Sequence, residues 1–264
     1  MLKNENGARN DTVLRDAVHA ELTELLREGG RLYIDPDGGG PGFDSDALAE
    51  VAEIYRANQS SVERGGSVAV VTAGPPGAGK STFINDRDFM SYLRIDPDEI
   101  KDILLPRAKA AGYLDDAAGV LLSDQRAVSP RELAGRVHRA STDVADMVRR
   151  DAMHQCENIL IEGTLQWFPL AEYYASELMH YNYEHLRIID IEVPLEIATE
   201  RARQRWWAGR VGSRAGGRFI LDTDIAKFYE DPIYSSCAKT ADELFKLTKD
   251  VLETVTLERP NQYD

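Results

Sequence analysis

Apolar residues along this chain follow two periods, and each period predicts one type of secondary structure. Short continuous apolar runs predict buried strands at residues 67–72, 92–95, 158–161 and 186–193, and a last short strand at 255–257. Segments with apolar residues at every third or fourth position predict helices at residues 80–87, 130–155, 170–181, 194–207 and 240–253. This alternation predicts an α/β fold with a doubly wound, mostly parallel sheet and helices on both faces.

The chain before the first predicted strand has a helical pattern of its own. Helical spacing predicts one helix at residues 11–27, which Gly29 and Gly30 end. A second helix is predicted from Asp44 or Ser45 to residue 58. We therefore expect a helical N-terminal extension over residues 1–65 and a single sheet-based domain over residues 66–264.

A glycine-rich segment, residues 74–81, follows the first predicted strand and precedes a predicted helix. Its pattern, G-x-x-x-x-G-K-S, lets backbone N–H groups and a helix N-terminus face the phosphates of a nucleoside triphosphate. Lys80 is expected to bridge the β- and γ-phosphates of ATP or GTP, and the Ser81 hydroxyl is expected to bind Mg²⁺. The candidate nucleotide-binding residues are Gly74, Pro75, Pro76, Gly77, Ala78, Gly79, Lys80, Ser81 and Thr82.

Two motifs that other classes of nucleotide-binding protein carry are absent from this chain, and this narrows the class. A GTPase would carry an Asn-Lys-x-Asp motif that reads guanine, and the chain has none. An oligomeric ATPase would usually carry an apolar strand that ends in Asp-Glu, and no predicted strand ends in this way. A P-loop kinase that acts on a small molecule is therefore the favoured interpretation.

Acidic and hydroxyl side chains follow two of the predicted strands, Asp96 and Asp98 after the second and Glu162 and Thr164 after the third. In a parallel sheet the ligand binds beyond the carboxyl ends of the strands, so these side chains are expected at the site. A kinase needs a carboxylate there to accept the proton of the acceptor hydroxyl. Asp96 and Asp98 have an alternative role as the cap and first turn of a helix, and the two roles are compatible.

The chain is acidic, with a net charge of −14, yet residues 201–218 contain six arginines. Glycines interleave with these arginines, as expected of a mobile lid that closes over phosphates, and this arginine-rich lid is placed at about residues 205–224. A solvated, flexible basic loop is the alternative. The overall acidity argues against general binding to nucleic acid or to an anionic membrane.

Three motifs together resemble those of the zeta toxins, P-loop kinases of toxin–antitoxin systems that phosphorylate the 3′-hydroxyl of the amino sugar in UDP-N-acetylglucosamine. They are residues 74–81, Ile95-Asp96-Pro97-Asp98-Glu99-Ile100-Lys101 and Leu160-Ile161-Glu162-Gly163-Thr164-Leu165. The thirteen-residue spacing of Arg205 and Arg218 is similar to that of the family's two phosphate-contacting arginines. The likeness covers residues 68–251 and implies a P-loop kinase fold with UDP-N-acetylglucosamine kinase-like activity.

The resemblance also implies roles for the matching residues. Asp98 matches the family's base, and Arg205 and Arg218 match the arginines that hold the γ-phosphate during transfer. The implied catalytic residues are Asp98, Lys80, Arg205 and Arg218, and the implied substrate-binding residues are Asp98, Glu162, Thr164 and Asp143. The chain departs from the family at Trp206, Trp207 and residues 219–222, which belong to the substrate-handling part.

Partners and cofactors follow from the same resemblance. It implies Mg²⁺ as cofactor, ATP or GTP as phosphate donor and an antitoxin protein as partner, with the N-terminal helices as an alternative inhibitor in cis. The two cysteines, Cys156 and Cys237, lack metal-type spacing, and the chain has neither a secretory signal nor a long apolar run, so we expect a cytoplasmic protein. The alternatives are a kinase of another acceptor, such as an antibiotic or an NAD-type nucleotide, and a catalytically silent nucleotide-binding regulator.

Overall fold

The computed structural model describes residues 2–35, 41–59, 62–85, 87 and 89–260, with side chains from residue 11 onward. It contains two compact units, each assembled from separate stretches of the chain. Unit 1 comprises Met1–Gly42, Lys101–Ala140 and Ala202–Leu221, and unit 2 comprises Phe43–Ile100, Ser141–Arg201 and Asp222–Asp264. Residues 1–65, expected to form one extension, are thus divided between the two units.

The sheet lies in unit 2, and the α/β fold predicted from the sequence is confirmed. Its strands are β1 (Val68–Ala73), β2 (Leu93–Ile95), β3 (Ile159–Ile161), β4 (His185–Asp190) and β5 (Thr254–Glu258). They lie in the order β2-β3-β1-β4-β5, and every neighbouring pair is parallel. β1 is central, which suits an apolar and β-branched run that is buried from Ala69 to Ala73.

Helices alternate with these strands. Their bounds are α1 Leu2–Leu26, α2 Ser45–Ala57, α3 Lys80–Asn85, α4 Pro97–Ala110, α5 His138–His154, α6 Leu170–His180, α7 Leu195–Gly212, α8 Asp222–Ala226 and α9 Ser236–Thr248. In unit 2, α9 packs against β4, β5 and α6. Among the described residues, no helix is both long enough and apolar enough to cross a bilayer.

Local chemistry explains where the helix boundaries fall. Asp44 caps α2 by accepting a hydrogen bond from the Ala47 N–H at 2.8 Å, as the sequence predicts. Ser235 accepts from the Cys237 N–H at 3.1 Å, so α9 begins at Ser236 rather than at the predicted residue 240. Residues 130–137 form a 3-10 helix instead of the predicted α-helix, and Gly135 within it lowers the α-helical propensity.

Helix α7 ends at Gly212, beyond the predicted end at residue 207. The added residues include Arg210, which is buried in unit 1 and donates to Glu132 and Asp124, while Trp206 and Trp207 just before it pack with Val18 and Leu22 of α1. Burial of this kind stabilises a helix more than its propensity does. The first part of the segment assigned to a lid, residues 205–212, is therefore helical.

Close packing accounts for part of the glycine and arginine content of the same segment. A Cβ atom at Gly217 would lie 1.9 Å from the Trp206 carbonyl oxygen, so the glycine there allows a close backbone contact. Arg210 is only 4% exposed and donates to Glu132 and Asp124, each at 2.7 Å. Arg210 is thus a structural residue of unit 1, and a mobile lid over residues 205–224 stays a prediction.

Candidate active site

The nucleotide loop, residues 74–81, connects β1 to α3 and depends on glycine for its path. Gly74 and Gly77 have positive φ angles of 125° and 84°. A Cβ atom at Gly74 would lie 2.2 Å from the Ile191 carbonyl oxygen, and one at Gly77 would lie 2.1 Å from the Ala198 carbonyl oxygen. Only glycine fits at either position, and the backbone there curls as phosphate-binding loops do.

Hydrogen bonds join this loop to the segment that follows β3. The Gly74 N–H donates to the Thr164 carbonyl oxygen at 3.0 Å. The Thr72 hydroxyl donates to the Gly163 carbonyl oxygen at 3.1 Å and accepts from the Gly163 N–H at 3.0 Å. The residues after β3, which include Glu162, therefore lie beside the nucleotide loop.

Lys80 and the residues after it begin α3. The Lys80 Nζ atom donates to the carbonyl oxygens of Gly74 at 2.6 Å and Pro75 at 2.9 Å. Its ammonium charge thus lies against the loop, within reach of a phosphate held there. Ser81 and Thr82 are exposed in the first turn of α3, so their hydroxyl groups are accessible to a ligand.

Three carboxylates gather where β2 and β3 end. The Glu162 N–H donates to the Ile95 carbonyl oxygen at 2.9 Å, which places Glu162 beside Asp96. The Asp98 N–H donates to the Asp96 Oδ1 atom at 2.8 Å. Asp96 therefore caps the start of α4 while Asp98 lies in its first turn, and this capping role coexists with a place in the acid cluster.

Arg94 and Tyr55 complete this cluster. The Arg94 Nε atom forms an ion pair with Glu162, and its Nη1 and Nη2 atoms lie 3.3 Å from Glu99 and 3.8 Å from Asp96. The Tyr55 hydroxyl, which comes from α2, donates to the Arg94 carbonyl oxygen at 3.0 Å and accepts from the Asp96 N–H at 3.0 Å. One cation and one hydroxyl group thus connect four elements at the carboxyl edge of the sheet.

Burial and mutual repulsion govern the ionisation of the acids. Burial, followed by the charges of Asp98 and Glu162, raises the pKa of Asp96 to about 7. Burial also raises the pKa of Glu162, although Arg94 and Lys80 oppose the rise. The cluster can therefore hold a proton near neutral pH, which is a property of catalytic carboxylate sites.

A cavity of about 400 Å³ lies in unit 2 at the carboxyl ends of β4 and β5. Arg259 follows β5 and donates to Asp190 at 2.8 Å and Asp242 at 2.7 Å, and burial raises the pKa of both Asp190 and Glu192. Asp190 pairs in register with Ala73, the residue before the nucleotide loop. The cavity is lined by Glu192, Glu230, Asp231, Tyr234, Ser235, Ala238, Lys239, Asp242 and Arg259.

Three further residues are implied by the resemblance, namely Arg205, Arg218 and Asp143. Arg205 and Arg218 belong to unit 1, whereas the nucleotide loop and the acids belong to unit 2. Arg205 is exposed on α7, and Arg218 forms an ion pair with Asp102 at 2.8 Å. Asp143 is exposed on α5 and forms no ion pair or hydrogen bond with any residue that the structure describes.

The zeta toxin family model matches residues 51–259, a stretch that includes the nucleotide loop, the acid cluster and both arginines. The chain belongs to the zeta toxin family. Members of this family are kinases, which agrees with the nucleotide loop and the carboxylates beside it.

Solved structures similar to this zeta toxin include a chain from the PezAT chromosomal toxin–antitoxin system of Streptococcus pneumoniae. That match has 16% identity, covers 82% of this chain and 78% of the other, and has a TM-score of 0.48. A chain of the AvrRxo1-ORF1:AvrRxo1-ORF2 complex with ATP matches at 15% identity, with 74% and 48% coverage and a TM-score of 0.38. This zeta toxin thus spans about half the length of that chain, and no curated protein matches its sequence.

The side chains around the loop of this zeta toxin fit Mg²⁺, a hard cation that takes oxygen ligands. The Ser81 hydroxyl is exposed at the start of α3, and the carboxylates of the acid cluster supply negative charge on the same edge of the sheet. Among the described residues, a separate group of metal-type side chains is formed by Glu184, His185 and Glu253. It lies at the amino ends of β4 and β5, the opposite edge of the sheet.

The sequence analysis did not predict three parts of this site, namely Arg94, Tyr55 and the cavity beside Arg259. The sequence did contain an indication for Arg94, because a charged residue within a short buried strand needs a partner. The sequence contained no such indication for Tyr55, since it lies on α2, 39 residues before its hydrogen-bond partner Arg94. Glu192 and Arg259 likewise line one cavity only because β4 and β5 are neighbours in the sheet.

Proposed function

We propose that this zeta toxin is a small-molecule kinase that transfers the γ-phosphate of ATP or GTP to a hydroxyl of a nucleotide sugar. By the family resemblance, the acceptor is UDP-N-acetylglucosamine. The observation that carries the proposal is the acid cluster of Asp96, Asp98 and Glu162, which lies on the edge of the sheet where the nucleotide loop lies. A donor and an acceptor bound at this edge would meet beyond the carboxyl ends of β1, β2 and β3.

Asp98 is proposed as the base. It accepts the proton of the acceptor hydroxyl while the hydroxyl oxygen forms its bond to the γ-phosphorus. The bond from the γ-phosphorus to the bridging oxygen breaks, and ADP or GDP leaves. Asp96 suits this role less well, because its Oδ1 atom accepts the hydrogen bond from the Asp98 N–H that caps the start of α4.

The loop residues stabilise the charge that moves during this step. Backbone N–H groups of residues 74–81 and the Lys80 ammonium group hold the phosphate oxygens. Ser81 would hold Mg²⁺, which supplies charge neutralisation on the β- and γ-phosphates when bound. Glu162 and Thr164 are proposed to bind the acceptor, since the Thr164 backbone contacts the loop directly.

The cavity beside Arg259 is proposed to take the base and ribose of the donor. It adjoins the nucleotide loop through the pairing of Asp190 with Ala73, and it lies on the side of β1 away from the acid cluster. Its carboxylates, such as Glu192 and Asp242, are suitable acceptors for ribose hydroxyl groups. Arg205, Arg218 and Asp143 keep their proposed roles, phosphate contact and acceptor binding, from the resemblance alone.

An acceptor screen tests the proposed function. The full chain is incubated with γ-labelled ATP or GTP and Mg²⁺, first with UDP-N-acetylglucosamine and then with a metabolite extract, an aminoglycoside and NAD. A labelled nucleotide sugar supports the proposal. Label on a different acceptor corrects the substrate, and no labelled product with any acceptor favours a nucleotide-binding regulator.

An antitoxin is the proposed protein partner, again by the family resemblance. Co-expression of the chain with a neighbouring open reading frame, followed by purification of a complex, tests this partner. A complex that loses ATP turnover supports the proposal, and a chain that is fully active and fully soluble with every neighbour contradicts it.

A further inference from the structure

Arg94 lies in an unusual position for a charged residue. It is the central residue of β2, and its neighbours Leu93 and Ile95 are each 1% exposed. Because side chains alternate along a strand, Arg94 faces the opposite side from these two apolar residues. On that side its guanidinium group meets Glu162 of the residues after β3 and Asp96 and Glu99 at the start of α4.

Hydrogen bonds also hold the backbone around Arg94 in place. The Tyr55 hydroxyl bonds to the Arg94 carbonyl oxygen and to the Asp96 N–H, each at 3.0 Å. Tyr55 itself is 2% exposed, so α2 fixes the end of β2 from outside the sheet. The backbone from which the Arg94 side chain extends is therefore fixed. The planar shape of the guanidinium group then fixes the direction in which each of its N–H groups points.

The electrostatics of the cluster require such a cation. Glu162 is only 7% exposed, and a buried carboxylate without a partner is costly. The charged groups that act on Glu162 are Arg94 from β2, Lys80 from α3 and Glu99 from α4, and Asp96 adds a further carboxylate. Since Lys80 is committed to the nucleotide loop, Arg94 is the cation placed to neutralise the acids.

We propose that Arg94 is a positioning residue for the transfer reaction, one that keeps Glu162 ionised and oriented for the acceptor and holds it apart from Asp96 and Glu99. The inference rests on the proposed function in one respect, namely that Glu162 binds the acceptor. Arg94 touches neither substrate in this scheme. It acts through Glu162. Loss of its charge, or of the planar guanidinium group, should therefore weaken acceptor binding more than nucleotide binding.

Arg94→Met is the first variant, because methionine keeps much of the length of the side chain and removes its charge. We expect the KM for the acceptor to rise at least about tenfold, while the dissociation constant of ATP changes less than about twofold. The acid limb of the pH–rate profile should move up by about one pH unit, because Glu162 loses an opposite charge. Arg94→Lys should restore the acid limb but only part of the acceptor affinity, because lysine keeps the charge without the fork.

Arg187→Met is the matched control. Arg187 is also a strand arginine of this sheet, and its Nε and Nη2 atoms pair with Glu258 at 2.6 and 2.9 Å. A merely structural role for Arg94 predicts that the two variants behave alike, with a similar loss of thermal stability and an unchanged acceptor KM. That result would overturn the inference, and Arg94→Lys decides the question if Arg94→Met does not fold.

A readout without catalysis separates this inference from the proposed function. Carbon-13 NMR follows the titration of the Glu162 carboxyl in the full chain and in Arg94→Met, with Glu162→Gln used for assignment. A higher titration midpoint in Arg94→Met supports the inference even if the chain phosphorylates no tested acceptor, in which case the proposed function alone fails. The same midpoint in both proteins overturns the inference.

Discussion

At the scale of single residues, Asp96 and Asp98 show how two carboxylates of one motif acquire different properties. Asp96 is 15% exposed at its side chain, caps α4 and has a pKa raised to about 7. Asp98 lies two residues further on, in the first turn of α4, and is half-buried as well. The capping role of Asp96 leaves Asp98 as the proposed reacting group.

The base assignment predicts the effect of Asp98→Asn. We expect kcat to fall by about 10²–10⁴, because the amide cannot accept the hydroxyl proton, while ATP binding is retained. Steady-state kinetics and calorimetry measure the two effects. Asp46→Asn is the matched control, since Asp46 is an exposed acid in the first turn of α2, and an Asp98→Asn enzyme as active as this control would reject the assignment.

The raised pKa of Asp96 predicts a dependence of stability on pH. The folded protein keeps a proton up to about pH 7 that the unfolded chain releases near pH 4, so the stabilising contribution is complete below about pH 4 and is lost as the pH rises through 7. Asp96→Asn imitates the protonated acid. It should raise the free energy of unfolding at pH 8 by about 1–2 kcal/mol relative to wild type, and much less at pH 5.

Urea unfolding of both proteins at pH 5 and pH 8 measures this difference. Asp46→Asn again serves as the control, because an exposed acid should change the free energy of unfolding by a similar small amount at both values. Equal effects of Asp96→Asn at the two pH values would show that Asp96 is already ionised at pH 5 in the folded protein.

At the scale of elements, α1 is part of a core and not a detachable arm. Val18 and Leu22 of α1 are fully buried with Trp206 and Trp207, and the Trp207 Nε1 atom donates to Asp11 at 3.0 Å. Removal of residues 1–64, the direct test of inhibition in cis, would therefore also remove part of the core of unit 1. Point substitutions in the full chain are the better tool.

Leu22→Ala should lower the free energy of unfolding by about 2–5 kcal/mol, because it opens a cavity in a closely packed cluster. Val13→Ala is the control on the same helix, since Val13 is 66% exposed and its truncation should cost less than about 0.5 kcal/mol. Thermal or urea unfolding measures both. Equal stability of the two variants would mean that α1 contributes little to unit 1.

At the scale of the whole molecule, the parallel sheet brings the functional segments of unit 2 together. Since β2, β3 and β1 are adjacent and parallel, the residues that follow them emerge on one edge. The acids, the nucleotide loop and the cavity beside Arg259 all lie on this edge. A ligand that binds there contacts several elements at once, so it should stabilise the folded chain.

ATP at about 100 times its dissociation constant should add about 2.7 kcal/mol to the free energy of unfolding and raise Tm by about 5–10 °C. Lys80→Ala should abolish the shift, because Lys80 supplies the charge at the loop. Lys246→Ala, which removes an exposed lysine of α9, should leave it intact. Differential scanning fluorimetry measures the shifts, and a full shift in Lys80→Ala would argue against nucleotide binding at residues 74–81.

Much of the fold follows from local patterns that the sequence displays. The run 67–72 predicted β1, and Asp44 predicted the start of α2, because apolar periodicity and helix capping act over a few neighbouring residues. The length of α7 was underestimated for the opposite reason. Its last residues include Arg210, which is buried and paired with Glu132 and Asp124, and these are contacts between distant parts of the chain.

By itself, the sequence determined that a strand, a glycine-rich loop and a helix form a nucleotide-binding segment, and that carboxylates follow two further strands. Only the tertiary structure decided that Arg94 stands among those carboxylates, that Tyr55 fixes the strand that carries it, and that Asp96 has a pKa raised to about 7. The physical reason is that backbone turns and caps depend on adjacent residues. Ion pairs and burial, by contrast, depend on which strands and helices become neighbours in space.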